Sequence, residues 1–186
     1  MVSLMSLWLP ILLSAVVVFI LSSLIRMVFS YHDSDYKGLP QEKEVMDALR
    51  LFNIAEGEYV MPKAENNKER NTEEFKEKVN KGPVALINVL PSGMPSMGKP
   101  LVLWFIYCLI VGLFAGYIAS IALESGAHYL SVFRFVGTTA FLGYSLALMQ
   151  NSIWYNRAWS VTLVSMFEGF IYALFTAGVF GWLWPQ

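Results

Sequence analysis

Hydrophobic residues fill four long stretches of the chain, and the polar residues are concentrated between the first stretch and the second. The apolar stretches cover about residues 4–30, 101–123, 129–150 and 158–184. A helix needs about 20 consecutive apolar residues to cross the hydrocarbon core of a bilayer. The pattern therefore predicts an all-α membrane protein, a four-transmembrane-helix bundle. We expect transmembrane helix 1 in residues 1–30, an insert in 31–99, and transmembrane helices 2–4 in 100–186.

The first apolar stretch differs from a secretory signal peptide. It lacks a positively charged n-region, and it is longer than the apolar part of a signal peptide, which has about 7–15 residues. We therefore expect it to be retained as a membrane span.

The insert between the first two spans has the pattern of a small α+β unit. "LPQEKEVMDALRLF" (39–52) carries apolar residues at helical spacing, and "NTEEFKEKVNKG" (71–82) offers Asn71 or Thr72 as a helix N-cap. "PVALINVL" (83–90) reads as a strand, with "EYVMP" (58–62) as its partner. A unit of this size buries little surface. We expect it to depend on the spans, on a partner or on the membrane surface.

Positive charges near the span ends predict the orientation. Arg26 and Lys37 follow the first span, Lys99 precedes the second, and Arg157 precedes the fourth. Lys and Arg favour cytoplasmic loops, which predicts a cytoplasmic insert with both chain termini outside. Tryptophan favours the membrane boundaries. This topology puts Trp8, Trp182 and Trp184 at the outer boundary, and Trp104, Trp154 and Trp159 at the inner one.

Composition and motifs argue against several functional classes. The chain has 186 residues, a net charge of -1 and 15% charged residues, whereas soluble domains average about 25%. It has no basic patch that would indicate nucleic-acid binding. It also lacks phosphate-binding, dinucleotide-binding, zinc-protease and hydrolase motifs. His32, Asp33 and Asp35 in "YHDSDY" suggest a metal site only weakly, because such linkers are usually solvated. We expect no enzyme activity, no metal and no cofactor.

The one acid within the fourth span is Glu168. Together with Ser165, Tyr172 and Thr176 it lies within about 80° of the helix circumference. A charge at mid-bilayer costs about 2.5–3.5 kcal/mol, so we expect Glu168 to face other protein. It can fix helix register, lie on an ion or proton pathway, or contact another subunit.

The third span carries its own polar face, which makes Arg134 a candidate partner of Glu168. Thr138 lies on the same face, together with Ser131 and Ser145. An axial offset of about 9 Å separates Arg134 from Glu168, and side chains on this span lean away from the acid. The alternatives to an ion pair with Arg134 are hydroxyl groups, water or a different protein.

Small residues recur every fourth position on two spans. They predict close helix packing, within the chain or between chains. The predicted packing residues are Gly112 and Gly116 on the second span, and Gly169, Ala173, Ala177 and Gly181 on the fourth.

Several segments resemble a family of small uncharacterised bacterial inner-membrane proteins. They include "KGPVALINVLPSGMPSMGK" (81–99), "GKPLVLWFIYCLIVGLFAGY" (98–117), "GAHYLSVFRFVGTTAF" (126–141), "NSIWY" (151–155) and "AGVFGWLWP" (177–185). The resemblance implies a bacterial four-span protein of the inner membrane. It implies no activity, ligand or functional residue.

From these features we expect a non-enzymatic accessory or scaffolding protein of the membrane. Its partners would be the lipid bilayer and either itself or another membrane protein. The alternative is a small ion or solute transporter or channel that uses the polar face of the third and fourth spans around Glu168.

Overall fold

The protein is described by a computed structural model that covers residues 2–29 and 35–186. His32 and Asp33 lie outside these residues. The chain forms two compact units, Met1–Tyr36 with Ser96–Gln186, and Lys37–Pro95. As the sequence predicts, the first unit has four helices that are long and apolar enough to cross a membrane. The second unit contains a two-stranded sheet and short helices.

In chain order, the helices and strands are α1 (Trp8–Val28), α2 (Glu42–Arg50), β1 (Gly57–Met61), α3 (Asn67–Arg70), α4 (Glu73–Lys81), β2 (Ala85–Val89), α5 (Gly98–Ala122), α6 (Tyr129–Tyr144), α7 (Met149–Tyr155) and α8 (Trp159–Trp182). A 3-10 turn at Leu4–Leu7 precedes α1, and another at Leu146–Leu148 joins α6 to α7.

The long helices form a closed ring in the order α1, α5, α6, α8. Each packs on its two neighbours in the ring, and the pair α6 and α8 is the most extensive. The amide of Val2 donates to the Ser120 carbonyl, and the amide of Gly126 donates to the Pro185 carbonyl. Both chain termini therefore meet the 123–128 turn at one end of the bundle, which we name the terminal end. The 156–158 turn lies at the opposite end.

The bundle core has two clusters of small and medium-sized side chains. Toward the terminal end the buried residues are Leu7, Ala115, Ala119, Val132, Val136, Ala177, Phe180 and Trp184. Toward the opposite end they are Ala15, Val18, Ile25, Cys108, Val111, Ala140, Tyr144, Tyr172 and Ala173. Small residues in both clusters allow the helix backbones to approach closely.

The third span differs from the continuous helix predicted for 129–150. Helix α6 ends at Tyr144, and Ser145 adopts φ -122° and ψ -66°, outside the helical region. The chain then resumes as a 3-10 turn and α7. The predicted polar turn at 150–157 is mostly helical, because α7 extends to Tyr155 and ends at Asn156 in the left-handed conformation.

The Lys37–Pro95 unit has the predicted order of helix, strand, helix and strand. Strands β1 and β2 pair antiparallel, with Tyr59 opposite Ile87. Thr72, one of the two predicted N-caps, accepts a hydrogen bond from the amide of Phe75 at 3.2 Å. Gly82, with φ +61°, ends α4 in a conformation that favours glycine.

No residue of the Lys37–Pro95 unit is buried. Large apolar side chains instead lie on its surface, and Leu51 and Phe52 are 80% and 74% exposed. A unit with so little burial gains little free energy from removing apolar surface from water.

Candidate functional site

The interruption of the third span packs directly against α8. The hydroxyl of Ser145 donates to the Met166 carbonyl at 2.8 Å, across the α6–α8 seam. Gly169 lies directly against the Tyr144 carbonyl, where a Cβ atom would overlap the oxygen. The helix end and the glycine therefore fit together, and a larger residue at 169 would force them apart.

The carbonyl groups at the end of α6 lack partners within a regular helix. Tyr107 of α5 provides a hydrogen-bond partner for one of these carbonyl groups. Its hydroxyl donates to the Gly143 carbonyl at 2.7 Å. A second polar contact lies further along, where Ser152 donates to the Thr162 hydroxyl at 2.8 Å. Both contacts fix the interrupted span to neighbouring helices.

Glu168 is buried on α8, one residue before the glycine at the interruption. Only 4% of it is exposed, and the Tyr172 hydroxyl lies 3.5 Å from its Oε2 atom. Thr176 is fully buried and donates to the Tyr172 carbonyl, while Ser165 is half-buried and donates to the Val161 carbonyl. The predicted polar face of the fourth span thus points into the protein.

Four aromatic rings form a cluster at this polar face, and the ring of Tyr172 belongs to both. The Tyr172 ring lies 5.9 Å from the ring of Tyr144 and 6.0 Å from that of Trp104, and Tyr107 lies 5.5 Å from Trp104. The indole nitrogen of Trp104 donates to Ser22 of α1 at 2.8 Å. All four long helices therefore contribute to a cluster that combines a carboxyl group, three phenols and an indole.

Glu168 also lines a groove between α1 and α8. The groove has a volume of about 500 Å³, and the other lining side chains are apolar. A hydrogen-bond donor that entered the groove could reach the carboxyl group, whose oxygen atoms accept hydrogen bonds. The groove is lined by Ile25, Phe29, Leu163, Val164, Phe167, Glu168 and Ile171.

Arg134 and Thr138 lie apart from this cluster. Both side chains are exposed, whereas Glu168 is buried. Among the described residues, no ion pair joins Arg134 to Glu168. Arg134 and Thr138 instead line a second groove, of about 350 Å³, between α6 and α8.

The two predicted packing glycines of α5 contact other helices of the same chain. A Cβ atom at Gly112 would lie 3.3 Å from the Ser14 hydroxyl of α1. One at Gly116 would lie 3.1 Å from the Phe180 ring of α8. Both spacings are tight, so these glycines serve the seams within the bundle.

The small residues of α8 also pack within the chain. Ala173 and Ala177 are buried, Gly169 faces the end of α6, and a Cβ atom at Gly181 would overlap the Tyr129 ring. The close approach that these residues permit is therefore used between helices of one molecule.

Tyr107 and Tyr144 were absent from the residues predicted from sequence, and Trp104 was predicted only at the inner membrane boundary. Their positions on apolar spans resemble those of any packed aromatic residue. A usable signal was the spacing of Trp104, Tyr107 and Cys108, which puts all three on one face of α5. Tyr144 joins the cluster because it continues the buried row Val132, Val136 and Ala140 at every fourth position of α6.

Within residues 2–29 and 35–186, no group of three His, Cys, Asp or Glu side chains could hold a metal ion. None of the family models, curated proteins or solved structures compared with this chain matches it.

Proposed function

We propose that the protein is a non-enzymatic accessory protein of the bacterial inner membrane, which binds another membrane protein through its Lys37–Pro95 unit. The four long helices would cross the bilayer, with this unit in the cytoplasm and both termini outside. The bacterial inner membrane is taken from the family resemblance, and the orientation from the charges flanking the spans.

Exposed tryptophans support the membrane crossing. Trp8 and Trp182 are exposed at the terminal end of the bundle, and Trp154 and Trp159 are exposed at the opposite end. Tryptophan side chains favour the two interfaces of a bilayer. Two exposed pairs, one at each end of the long helices, fit a bundle that spans the membrane.

The observation that carries the proposal is the apolar surface of the Lys37–Pro95 unit. Met46 and Leu49 on α2 are 47% and 41% exposed, and Phe52 beyond its end is 74% exposed. Met46 and Leu49 stand three positions apart and share one face of α2, and Phe52 follows in the turn after the helix. Clusters of exposed apolar side chains are typical of interaction sites in folded proteins.

The charge of this unit favours a protein partner over the membrane surface. Residues 37–95 contain nine Lys or Arg and ten Asp or Glu. Segments that bind anionic membrane surfaces carry an excess of Lys and Arg. The unit has no such excess, so its apolar face fits a protein surface better than a lipid headgroup layer.

The small residues of α5 and α8 give less support to assembly through the long helices. Gly112, Gly116, Gly169 and Gly181 all contact residues of the same chain. Self-association through these residues would need surfaces that the bundle already uses. We therefore assign the partner contact to the Lys37–Pro95 unit.

The test is a paired substitution on α2 and at its end. Leu49→Ser with Phe52→Ser removes the apolar face, and Lys43→Ser with Asp47→Ser alters the opposite face without changing the net charge. Full-length protein is extracted from its native membrane in mild detergent and sized on native gels. Truncation of central interface residues costs about 2 kcal/mol or more each. We expect the apolar pair to reduce the larger complex more than tenfold and the control pair to retain it.

Two results would contradict this proposal. One is a wild-type protein that migrates without a partner, and the other is a larger complex that survives the Leu49→Ser and Phe52→Ser changes.

The interrupted third span favours a second candidate, a small ion or solute transporter. Discontinuous helices next to an intramembrane acid are typical of transporter binding sites. Glu168 lies beside such an interruption and lines a groove of about 500 Å³. Proton or cation flux in liposomes that Glu168→Gln abolishes, with the fold intact, would support the transporter. Wild-type liposomes without flux would exclude it.

A further inference from the structure

The groove between α6 and α8 combines small residues at the seam with large apolar walls. Gly137 and Ala173 lie where the helices approach, and a Cβ atom at Gly137 would be only 3.2 Å from that of Ala177. Larger side chains on both sides leave a volume of about 350 Å³ open to the surface of the bundle. These walls are Phe133, Phe141, Phe170 and Leu174.

Only two of the eight lining residues are polar. Arg134 and Thr138 stand four positions apart on α6, so that they share one face. Both are exposed, and in the described part of the chain no carboxylate forms an ion pair with Arg134. A positive charge and a hydroxyl group therefore border an otherwise apolar groove.

In the proposed membrane crossing, Arg134 lies near the headgroup level of the bilayer. It lies five residues after the start of α6 at the terminal end, which is about 7.5 Å along the axis. Helical side chains lean toward the helix N-terminus, and long cationic side chains extend to the interface. The guanidinium group thus reaches phosphate level, while the groove continues toward the perpendicular rings of Phe141 and Phe170, 5.9 Å apart.

We propose that this groove binds one anionic glycerophospholipid. Its phosphate accepts hydrogen bonds from Arg134, the Thr138 hydroxyl one turn deeper donates to an ester carbonyl of the lipid, and one acyl chain lies against Phe141 and Phe170. Guanidinium groups bind phosphate through two parallel, charge-assisted hydrogen bonds. The lipid site requires the proposed membrane crossing, but it is independent of the partner contact on α2.

The test measures lipid binding to the purified full-length protein by native mass spectrometry. The probes are phosphatidylglycerol, which is anionic, and phosphatidylcholine, which is zwitterionic with the same acyl chains. Arg134→Gln removes the phosphate ligand, and Arg26→Gln makes the same change on the exposed face of α1. Leu174→Trp fills the groove, and Phe175→Trp enlarges an exposed side chain outside it.

We expect wild-type protein to retain one phosphatidylglycerol in preference to phosphatidylcholine. Arg134→Gln lowers the apparent affinity for phosphatidylglycerol about tenfold, as expected for a charged hydrogen bond, and Leu174→Trp lowers it as well. Arg26→Gln and Phe175→Trp bind as wild type. Circular dichroism of each variant checks the fold.

Three outcomes would overturn the lipid site. They are equal affinity for the two lipids, wild-type binding by Arg134→Gln, and a second copy of the chain held in an Arg134-dependent way in place of a lipid. Release of the protein from membranes by a carbonate wash would instead contradict the proposed membrane crossing, whatever the lipid binding.

Discussion

At the scale of single residues, Gly169 is the glycine at which an added Cβ atom would meet the closest neighbour. It lies against the Tyr144 carbonyl at the end of α6, next to the hydrogen bond from Ser145 to the Met166 carbonyl. Backbone atoms cannot yield as a flexible side chain can. The contact therefore requires glycine because glycine has no side chain, and not because its backbone is flexible.

We predict that Gly169→Ala destabilises the bundle by about 1–3 kcal/mol, because the added methyl group forces α8 away from α6. Gly178→Ala on the same helix is the matched control. A Cβ atom there would make an ordinary contact, 3.8 Å from the Tyr129 hydroxyl. Replacing glycine in a helix with alanine at an unstrained site stabilises it by up to about 1 kcal/mol.

Thermal unfolding of both variants in the same detergent measures the difference. A lower midpoint for Gly169→Ala and an unchanged or higher midpoint for Gly178→Ala is the expected result. Equal midpoints would mean that α8 shifts at no cost and that the contact with Tyr144 is unimportant.

The burial of Glu168 can be predicted from the sequence around it. The side chains that surround Glu168 in the fold cannot be predicted in this way. An acid on an apolar span is expected to face protein, because a charge in lipid costs free energy. Whether Arg134 faces Glu168 depends on which residues of α6 pack against α8. The α6–α8 seam is set by Gly137, Gly169 and Ala173. The sequence predicts Gly169 and Ala173 as packing residues, but it indicates neither Gly137 nor the helix that they contact.

At the scale of elements, α4 carries a titratable pair. Lys78 lies 2.9 Å from Glu74, and its hydrogen bond and charge lower the pKa of Glu74 below 4.5. The same contact raises the pKa of Lys78 above 10.5. Because the folded pKa of Glu74 is depressed, the pair stabilises α4 above pH 4.5, and this contribution is lost as the pH falls through the folded value.

We predict that Lys78→Gln returns the pKa of Glu74 toward 4.5, because both the hydrogen bond and the positive charge are removed. Lys81→Gln, which removes another cation of the last turn, leaves it low. Carboxyl carbon shifts followed by NMR across the acid range report the value directly. A Glu74 titration that is the same with and without Lys78 would show that the pair does not form in solution.

Hydrophobic periodicity predicts elements well and their interruptions poorly. The four long helices and the two strands follow from the residue pattern, because long apolar runs and short strand-like runs favour regular backbone. The end of α6 carries no proline, and Ser145 lies within the apolar segment "LGYSLAL" (142–148). Its hydroxyl donates to the Met166 carbonyl of α8 beside the break, and this tertiary contact cannot be read from the sequence.

At the scale of the whole molecule, the predicted orientation has a direct test. Ser92→Cys places a thiol in the Lys37–Pro95 unit, and Gln186→Cys places one at the terminal end. The wild-type thiol, Cys108, is fully buried and serves as the unlabelled control.

We predict that a membrane-impermeant maleimide labels Gln186→Cys in intact cells, because the proposed topology puts the terminal end outside. Ser92→Cys should be labelled only after the membrane is permeabilised. The reverse pattern would invert the topology, and labelling of both in intact cells would contradict four crossings.

The closed ring also determines how the molecule would respond to a break in its chain. Helix α1 meets both α5 and α8, and Trp104 of α5 is hydrogen-bonded to Ser22 of α1. None of these contacts depends on the covalent path through residues 37–95. A protein severed in that segment would keep α1 seated, and the two fragments, supplied as separate polypeptides, could reassemble into the same bundle.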